Sequence, residues 1–310
     1  MALVDYLGEF NNRSDIVRFL GTYRPDAVAA AKTFQDIGVA GDAGTMLGIA
    51  YPIPLTTYSV AGPDPPFLPD SYTPANTNEP FLTWLNWILD KPDAELPSVV
   101  STSYGDIEQT VPASYAQRIC RAFSQLGARG VSVIVGAGDH GIGHPGDRVS
   151  NDGLENPQFH KQAAHSYLSH IGNLHSGMFE PRRRAYPDVA VQGYRFVTVW
   201  NGETRLVDGT SASTQTFATI VALANDALIA NDKPRMVFLN PWLYAGGFKA
   251  FRDVSVGSNT GCNTTAFPAT AWWDAASGWG TPWFPELKAL AMNRRFRDSH
   301  PWYAAIRSGL

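Results

Sequence analysis

The chain has 310 residues, long enough for a large core, with 44% hydrophobic and 17% charged residues and a formal net charge of −4. Both signs are interspersed, and the densest basic run is Arg182–Arg184, so the basic face of a nucleic-acid binder is missing. No apolar run is long enough to span a bilayer, and the first residues carry Asp5, Glu9, Arg13, Asp15 and Arg18 in place of an apolar leader core. The expectation from these features is no membrane partner, and a cytoplasmic location unless a signal and prosegment precede the sequence given. Cys120 and Cys262 allow one disulfide at most, and two free thiols is the simpler reading.

In chain order, VDYLGEF (4–10) reads as a strand and DIVRFLGTY (15–23) as a helix. Residues 52–78, rich in Pro, Thr, Asn and Gly, read as a long loop. EPFLTWLNWIL (79–89) has helical spacing, with Phe81, Leu82, Leu85 and Leu89 on one face. SVVSTSYG (98–105) reads as a strand, and SYAQRICRAFSQLGARG (114–130) as an amphipathic helix closed by Gly130. VSVIVGAG (131–138) is a continuous apolar strand of the kind buried on both faces, and 141–158 is Gly/Pro/Asp/Asn-rich loop. FVTVW (196–200) is another strand, and a helix follows Ser211 to about Ala230. Strand–helix alternation predicts an α/β fold with a largely parallel sheet, in a single domain over 1–310.

GTSAS (209–213) poses the functional question. Gly209 permits a tight turn, and Ser211 sits near the amino end of a helix, where free N–H groups and the helix dipole favour negative charge. That suits a nucleophilic oxygen. It equally suits a serine that only caps the helix, and the pentapeptide by itself leaves both readings open.

The surrounding motifs carry a resemblance. STSYGDIE (101–108), ARGVSVIVGAGDHG (128–141), RAYPDVA (184–190), GTSAS (209–213), FLNPWLY (238–244) and FRDVSVGSNTGC with WWDAASGWGTPWF (251–284), in this order, resemble the sedolisins, the serine-carboxyl peptidases that include the tripeptidyl peptidases. EPFLTWL is similar to a tripeptidyl-peptidase segment as well. The resemblance implies a subtilisin-like parallel sheet with helices on both faces, peptide-bond hydrolysis in acid, and one structural Ca²⁺.

Carried over residue by residue, it makes Ser211 the nucleophile. Asp139 matches the acid that, held protonated, donates into an oxyanion hole, work for which a neutral carboxyl is chemically fit. The family base is a Glu four residues before a supporting Asp on one helix, a spacing that puts both carboxylates on one face. Aligned through GIAYPIP (48–54), Asp42 falls on the supporting Asp and Gly38 on the Glu. Asp36 lies six residues before Asp42, about 240° away around a helix, and cannot stand in by spacing. Asp5 and Glu9, four apart on a strand-like stretch, read as incidental. His140, next to Asp139, is a conceivable substitute base with a suitable reference pKa of about 6.5.

Other departures run the same way. Gln215 stands where the family carries Pro, and 141–158 is trimmed relative to it. The resemblance places calcium ligands at Asp253 and Asp274 through their carboxylates, and at Val254, Thr270 and Trp272 through main-chain carbonyls, with Gly in the family at the last two. Hard oxygen donors of this kind suit Ca²⁺. His160, His165, His170 and His175 recur every five residues, about 140° per step on a helix, so no face gathers them for a metal. Of the tryptophans, Trp84, Trp87, Trp272, Trp273, Trp279 and Trp283 read mostly as core or cleft wall, and Tyr104 and Gly105 as lining of the cleft. The substrate is thus a peptide or a small molecule, with oligomeric state open. Three functions fit: a sedolisin-like peptidase, weak or inactive for want of the Glu; an enzyme repurposed for acyl transfer, cyclisation or a lyase step; and a non-catalytic scaffold.

Overall fold

The computed structural model describes residues 1–7, 11–37, 43–70, 73–141, 157–261 and 263–293. The chain begins with β1 (Ala2–Tyr6), α1 (Arg13–Tyr23), the single turn α2 (Ala30–Thr33), β2 (Gln35–Ile37), α3 (Gly44–Ala50) and β3 (Thr56–Val60). Next come α4 (Phe81–Leu89), β4 (Val99–Thr102), α5 (Ala113–Ala128), β5 (Ser132–Val135) and α6 (Lys161–Ile171). The remainder holds β6 (Phe196–Trp200), β7 (Glu203–Val207), α7 (Thr210–Ile229), α8 (Leu239–Tyr244), β8 (Phe251–Arg252), β9 (Ser258–Gly261), β10 (Thr264–Pro268), β11 (Thr281–Pro282) and α9 (Phe284–Met292).

Five strands form one parallel sheet in the order β2-β3-β1-β4-β5. β1 is central. Its register sets Leu3 beside Thr57 and Ser101, and Val4 beside Tyr58 and Thr102. Alternation along the strands then sorts the core into two layers. Leu3 and Val99 face a cluster built from α1, α3, α7, α8 and α9. Ala2, Val4, Tyr6 and Val100 face α4 and α5. The α/β fold with helices on both faces follows from that division.

Two helices show how local chemistry fixes the layers. α1 starts at Asn12, whose Oδ1 accepts from Ser14 N at 3.1 Å and Asp15 N at 3.4 Å, an ordinary amino-terminal cap. α7 is buried along most of its length, including Phe217, Val221, Ala222 and Leu228. Its hydroxyl residues survive there because Thr214, Thr216 and Thr219 each donate to the carbonyl four residues back, at 2.7–2.8 Å.

The structure corrects several boundaries. The 52–78 region, read as loop, contains β3, a buried strand beside β1; the surrounding Pro and Thr masked its short TTYSV run. β5 was expected to be buried on both faces. Among the described residues it pairs only with β4, and Val135 is 52% exposed. FVTVW is a strand, but one of an antiparallel hairpin with β7 outside the main sheet. In α4 the buried positions are Leu82, Trp84, Leu85 and Ile88, and the expected Phe81 and Leu89 pack partly buried against the same cluster, so Trp84 and Ile88 widen the stripe. Trp273 is likewise core, whereas Trp272 and Trp283 are exposed. Cys120 is a free thiol, half-buried on α5; Cys262 lies outside the described residues.

Candidate active site

In an open parallel sheet, ligands bind outside the carboxyl ends of the strands, at the point where successive connections leave in opposite directions. Here that point is the β1/β4 boundary. Chain order runs from β1 outward to β2 and back to β3 on one side, then to β4 and β5 on the other.

Three segments converge there. Ser103 follows β4, and its Oγ donates to the main-chain carbonyl of Ser211 at 3.3 Å. Gly136, which follows β5, donates its N–H to Thr102 O at 3.1 Å. A Cβ on Gly136 would come within 3.2 Å of Thr214 Oγ1 and 3.4 Å of Thr210 Oγ1, so a bare backbone lets the β5 loop lie against the start of α7. Three residues later, Asp139 Oδ1 accepts from Thr210 N at 2.6 Å and from Thr210 Oγ1 at 2.8 Å.

α7 therefore has no cap from its own chain end. Its first N–H is met by a carboxylate from another loop, where the helix dipole favours negative charge. Ser211, the next residue, is exposed and makes no capping hydrogen bond. The cap reading of this serine is thus not the one the geometry takes up. The second oxygen of Asp139 faces Gly209, where a Cβ would meet Oδ2 at 2.9 Å. With Oδ1 accepting twice, Oδ2 is the oxygen able to carry a proton and donate. His140 is exposed beside it. Gln215, one turn beyond Ser211, is buried. Asp42 and position 38 lie outside the described residues. The segment that leads to them is tied down: Asn11 Oδ1 accepts from Ala43 N at 2.9 Å while its Nδ2 donates to Asp36 Oδ1 at 3.0 Å. Asp36 also pairs with Arg13, which fixes it at the edge of the sheet.

Two acids near this edge stand out: Asp5, read from sequence as incidental, and Glu79, which the sequence did not single out. Asp5 is 4% exposed on β1. Glu79, ahead of α4, is 5% exposed. Burial pushes the Glu79 carboxyl up to about 7; the neighbouring Asp106 adds to the rise, against hydrogen bonds from its own N–H and that of Gly105. Asp106 is held by Thr77, whose Oγ1 donates to it at 2.5 Å. Tyr104, half-buried, packs edge-on against Tyr6 at 5.6 Å, and Gly105 is exposed beyond it.

The loop from β8 to β11 gathers the other carried-over residues. Trp272 N donates to Asp253 Oδ2 and Thr270 N to Asp274 Oδ2, both at 2.9 Å. Asp274 is fully buried, and burial pushes its carboxyl up despite the N–H groups of Thr270, Ala276 and Ser277 around it. Trp272 has a φ of +73°, a left-handed backbone that Gly adopts freely and tryptophan rarely does. Val254 O accepts from Ser277 Oγ at 3.3 Å. Among the described residues no three His, Cys, Asp or Glu side chains converge, so a cation here would rest on two carboxylates and main-chain carbonyls. Behind the loop, Arg184 pairs with Asp188 at 2.7 Å, and Asp188 also accepts from Tyr244 Oη at 2.7 Å. His160 is buried between the rings of Tyr244 and Trp273, and burial, then Arg184, lowers its pKa to about 4. His165 and His170 are exposed on α6.

No family model matches the chain. Tripeptidyl-peptidase SED2 of Arthroderma otae is 34% identical over 355 positions, covering 91% of this chain and 59% of the relative. The chain belongs to the sedolisin family. Tripeptidyl-peptidase SED4 of the same fungus is 32% identical, over 94% of this chain and 60% of the relative. The sedolisin chain described here thus spans about three-fifths of the length of the curated relatives it matches. The alignment to SED2 is longer than the chain itself, so the relative carries internal residues with no counterpart here. Among solved structures, a Pseudomonas sedolisin, a serine-carboxyl proteinase complexed with two molecules of pseudo-iodotyrostatin, superposes with a TM-score of 0.60 at 19% identity. It covers 93% of this chain and 90% of its own. The prenylagaramide maturation protease PagA superposes with a TM-score of 0.51 at 9% identity, over 94% of this chain and 93% of its own, a likeness of fold alone. Among the described residues no helix is long and apolar enough to cross a membrane.

Proposed function

We propose that this sedolisin homologue is a serine-type hydrolase acting on peptides, with Ser211 as nucleophile, Asp139 as oxyanion donor, and proteolysis weakened by Gly38 where the family carries its Glu. The observation that carries the reading is the seating of Asp139 Oδ1 on Thr210 N, one residue before Ser211. An acid and a hydroxyl at one helix start are the two parts that acyl transfer needs: an oxygen to attack, and a neutral donor for the charge that develops on the carbonyl. Relatives described as tripeptidyl peptidases support a peptide substrate. Asp42 remains the supporting acid in this reading. A positioned general base is worth roughly 10²–10⁴ in rate, so the absence of the Glu at position 38 leaves a slow enzyme.

Calcium belongs to the same proposal. Asp253 and Asp274, with the carbonyls of Val254, Thr270 and Trp272, form an all-oxygen donor set of the kind that hard cations take. A buried Asp274 carboxylate and the left-handed turn at Trp272 both fit a loop shaped around a cation. The ion would hold the loop together and take no part in the reaction.

The test is labelling with a fluorophosphonate, in acid and at neutral pH, alongside hydrolysis of peptides with free amino termini. The expected result is slow labelling and slow hydrolysis by the wild type and neither by Ser211→Ala. Equal labelling of the two proteins would sink the assignment of Ser211, and rapid hydrolysis would sink the claim of a weakened site.

A further inference from the structure

An aspartate in the middle of a parallel sheet is a costly residue. Asp is disfavoured in strands, and a buried ionisable carboxyl is stabilised only where something in its surroundings repays the lost hydration. Asp5 is such a residue: it lies on the central strand, 4% exposed, between the buried Val4 and Tyr6.

Its direction follows from the alternation. Leu3 belongs to the cluster of α3 and α7, whereas Val4 and Tyr6 belong to that of α4 and α5. Asp5 is two residues beyond Leu3, so it shares the face of α3 and α7. The register puts Asp5 beside Ser59 on β3. On the other side Val4 pairs with Thr102, and the next step along both strands sets Asp5 level with Ser103. Ser103 is the residue whose Oγ reaches Ser211. A short polar row, Ser59–Asp5–Ser103, thus crosses the carboxyl edge of the sheet beneath the start of α7, at the switch point where a binding crevice is expected.

We propose that Asp5 is the carboxylate that takes up the Ser211 proton, standing in from the sheet, less effectively, for the Glu that the family carries at the position of Gly38. The inference rests on Ser211 being the nucleophile. In acylation the Ser211 oxygen bonds to the substrate carbonyl carbon, the carbonyl π pair moves onto its oxygen, and the hydroxyl proton passes to Asp5. When the C–N bond then breaks, that proton goes to the leaving amine and Asp5 is again a carboxylate. Ser59 and Ser103 flank Asp5 with groups that do not titrate in this range. α3 contributes no ionisable side chain, nor do the first two turns of α7. Tyr6, on the opposite face, is a titratable group that feels Asp5, its hydroxyl raised by burial and then by Glu79 and Asp5, while Asp139 is fixed at the start of α7 by Thr210.

The experiment follows fluorophosphonate labelling across the acid-to-neutral range in wild type, Ser211→Ala and Asp5→Asn. In this reaction the Ser211 oxygen displaces fluoride from phosphorus, and the hydroxyl proton again passes to Asp5. The expected result is a wild-type rate that falls as a carboxylate is protonated, and an Asp5→Asn rate lower by about 10²-fold without that limb. If wild type labels no better than Ser211→Ala, the nucleophile reading and this inference fall together. If wild type labels and Asp5→Asn matches it in rate and pH profile, this inference alone falls. Should Asp5→Asn fail to fold, the ¹³C-carboxyl titration of Asp5 in wild type decides, before and after phosphonylation of Ser211. A shifted titration supports the proposal and an unchanged one overturns it.

Discussion

Asp139 and Thr210 are 71 residues apart, yet one carboxylate oxygen of the first accepts both the main-chain N–H and the side-chain hydroxyl of the second, at 2.6 and 2.8 Å. The contact does two things at once. It satisfies the first free N–H of α7, and it fixes the acid next to Ser211. Asp139→Ala removes both. A lost helix cap costs about 1 kcal/mol, and a lost oxyanion donor costs roughly 10²–10³ in rate. We expect a small loss of stability in urea with a large loss of Ser211 labelling. A mere cap would give the first without the second. Asp139→Asn keeps an acceptor for Thr210 and places an amide N–H where the carboxyl proton would stand, so it should hold both the stability and much of the labelling rate that Asp139→Ala loses.

Gly209 makes a sharper test of the same geometry. A methyl group there would sit 2.9 Å from Asp139 Oδ2, closer than a Cβ tolerates, while leaving both named side chains in place. Gly209→Ala should push the carboxyl off the helix start. The expected outcome is a folded protein by circular dichroism whose labelling rate drops toward that of Asp139→Ala. Wild-type labelling by Gly209→Ala would mean that the position of Asp139 is not limiting.

Much of this site is legible in the sequence because its parts are punctuated. An apolar strand that stops at GAGD and a helix that starts after GTS locate two loop–element junctions, and parallel topology brings such junctions to one edge. Asp5 was not legible in the same way. Read beside Glu9 its four-residue spacing looked incidental; what gives it meaning is the neighbouring strand on each side, and β3 was hidden within a Pro- and Thr-rich stretch. Glu79 likewise looks like an ordinary acid at a helix start until the fold buries it against Gly105 and Asp106. Register and burial are tertiary facts, and local pattern carries neither.

Glu79 and His160 should give the stability opposite pH slopes. Glu79 has its carboxyl raised to about 7, so the folded state holds that proton more tightly than the unfolded chain does. Its contribution is neutral below the ordinary carboxylate pKa and destabilising as pH rises through that window, to on the order of 3 kcal/mol above it. Glu79→Gln should therefore stabilise the protein at neutral pH and leave it nearly unchanged in acid. His160 is lowered to about 4, so the unfolded chain binds the proton first. Its effect is absent above the ordinary histidine pKa and grows as pH falls from there toward 4. His160→Gln should flatten that acid loss. Urea midpoints across the acid-to-neutral range read both, and a Glu79→Gln curve parallel to wild type would contradict the assignment.

The loop proposed to hold calcium offers a test that does not depend on activity. An ion that binds the folded state alone stabilises by RT ln(1 + [L]/Kd), about 2.7 kcal/mol at a hundredfold excess over Kd. Adding Ca²⁺ to protein stripped with a chelator should raise Tm by several degrees, and Mg²⁺, which prefers a tighter octahedral shell and keeps its waters, should raise it less. Asp253→Asn is the variant to compare. Its amide can still accept from Trp272 N, so the loop keeps its shape while losing one negative charge. The expected outcome is a near-normal Tm without calcium and little response when calcium is added. A Ca²⁺ response in Asp253→Asn equal to wild type would place the ion elsewhere, and no response in wild type would leave the loop held by its own hydrogen bonds, with Asp274 buried among the N–H groups of Thr270, Ala276 and Ser277.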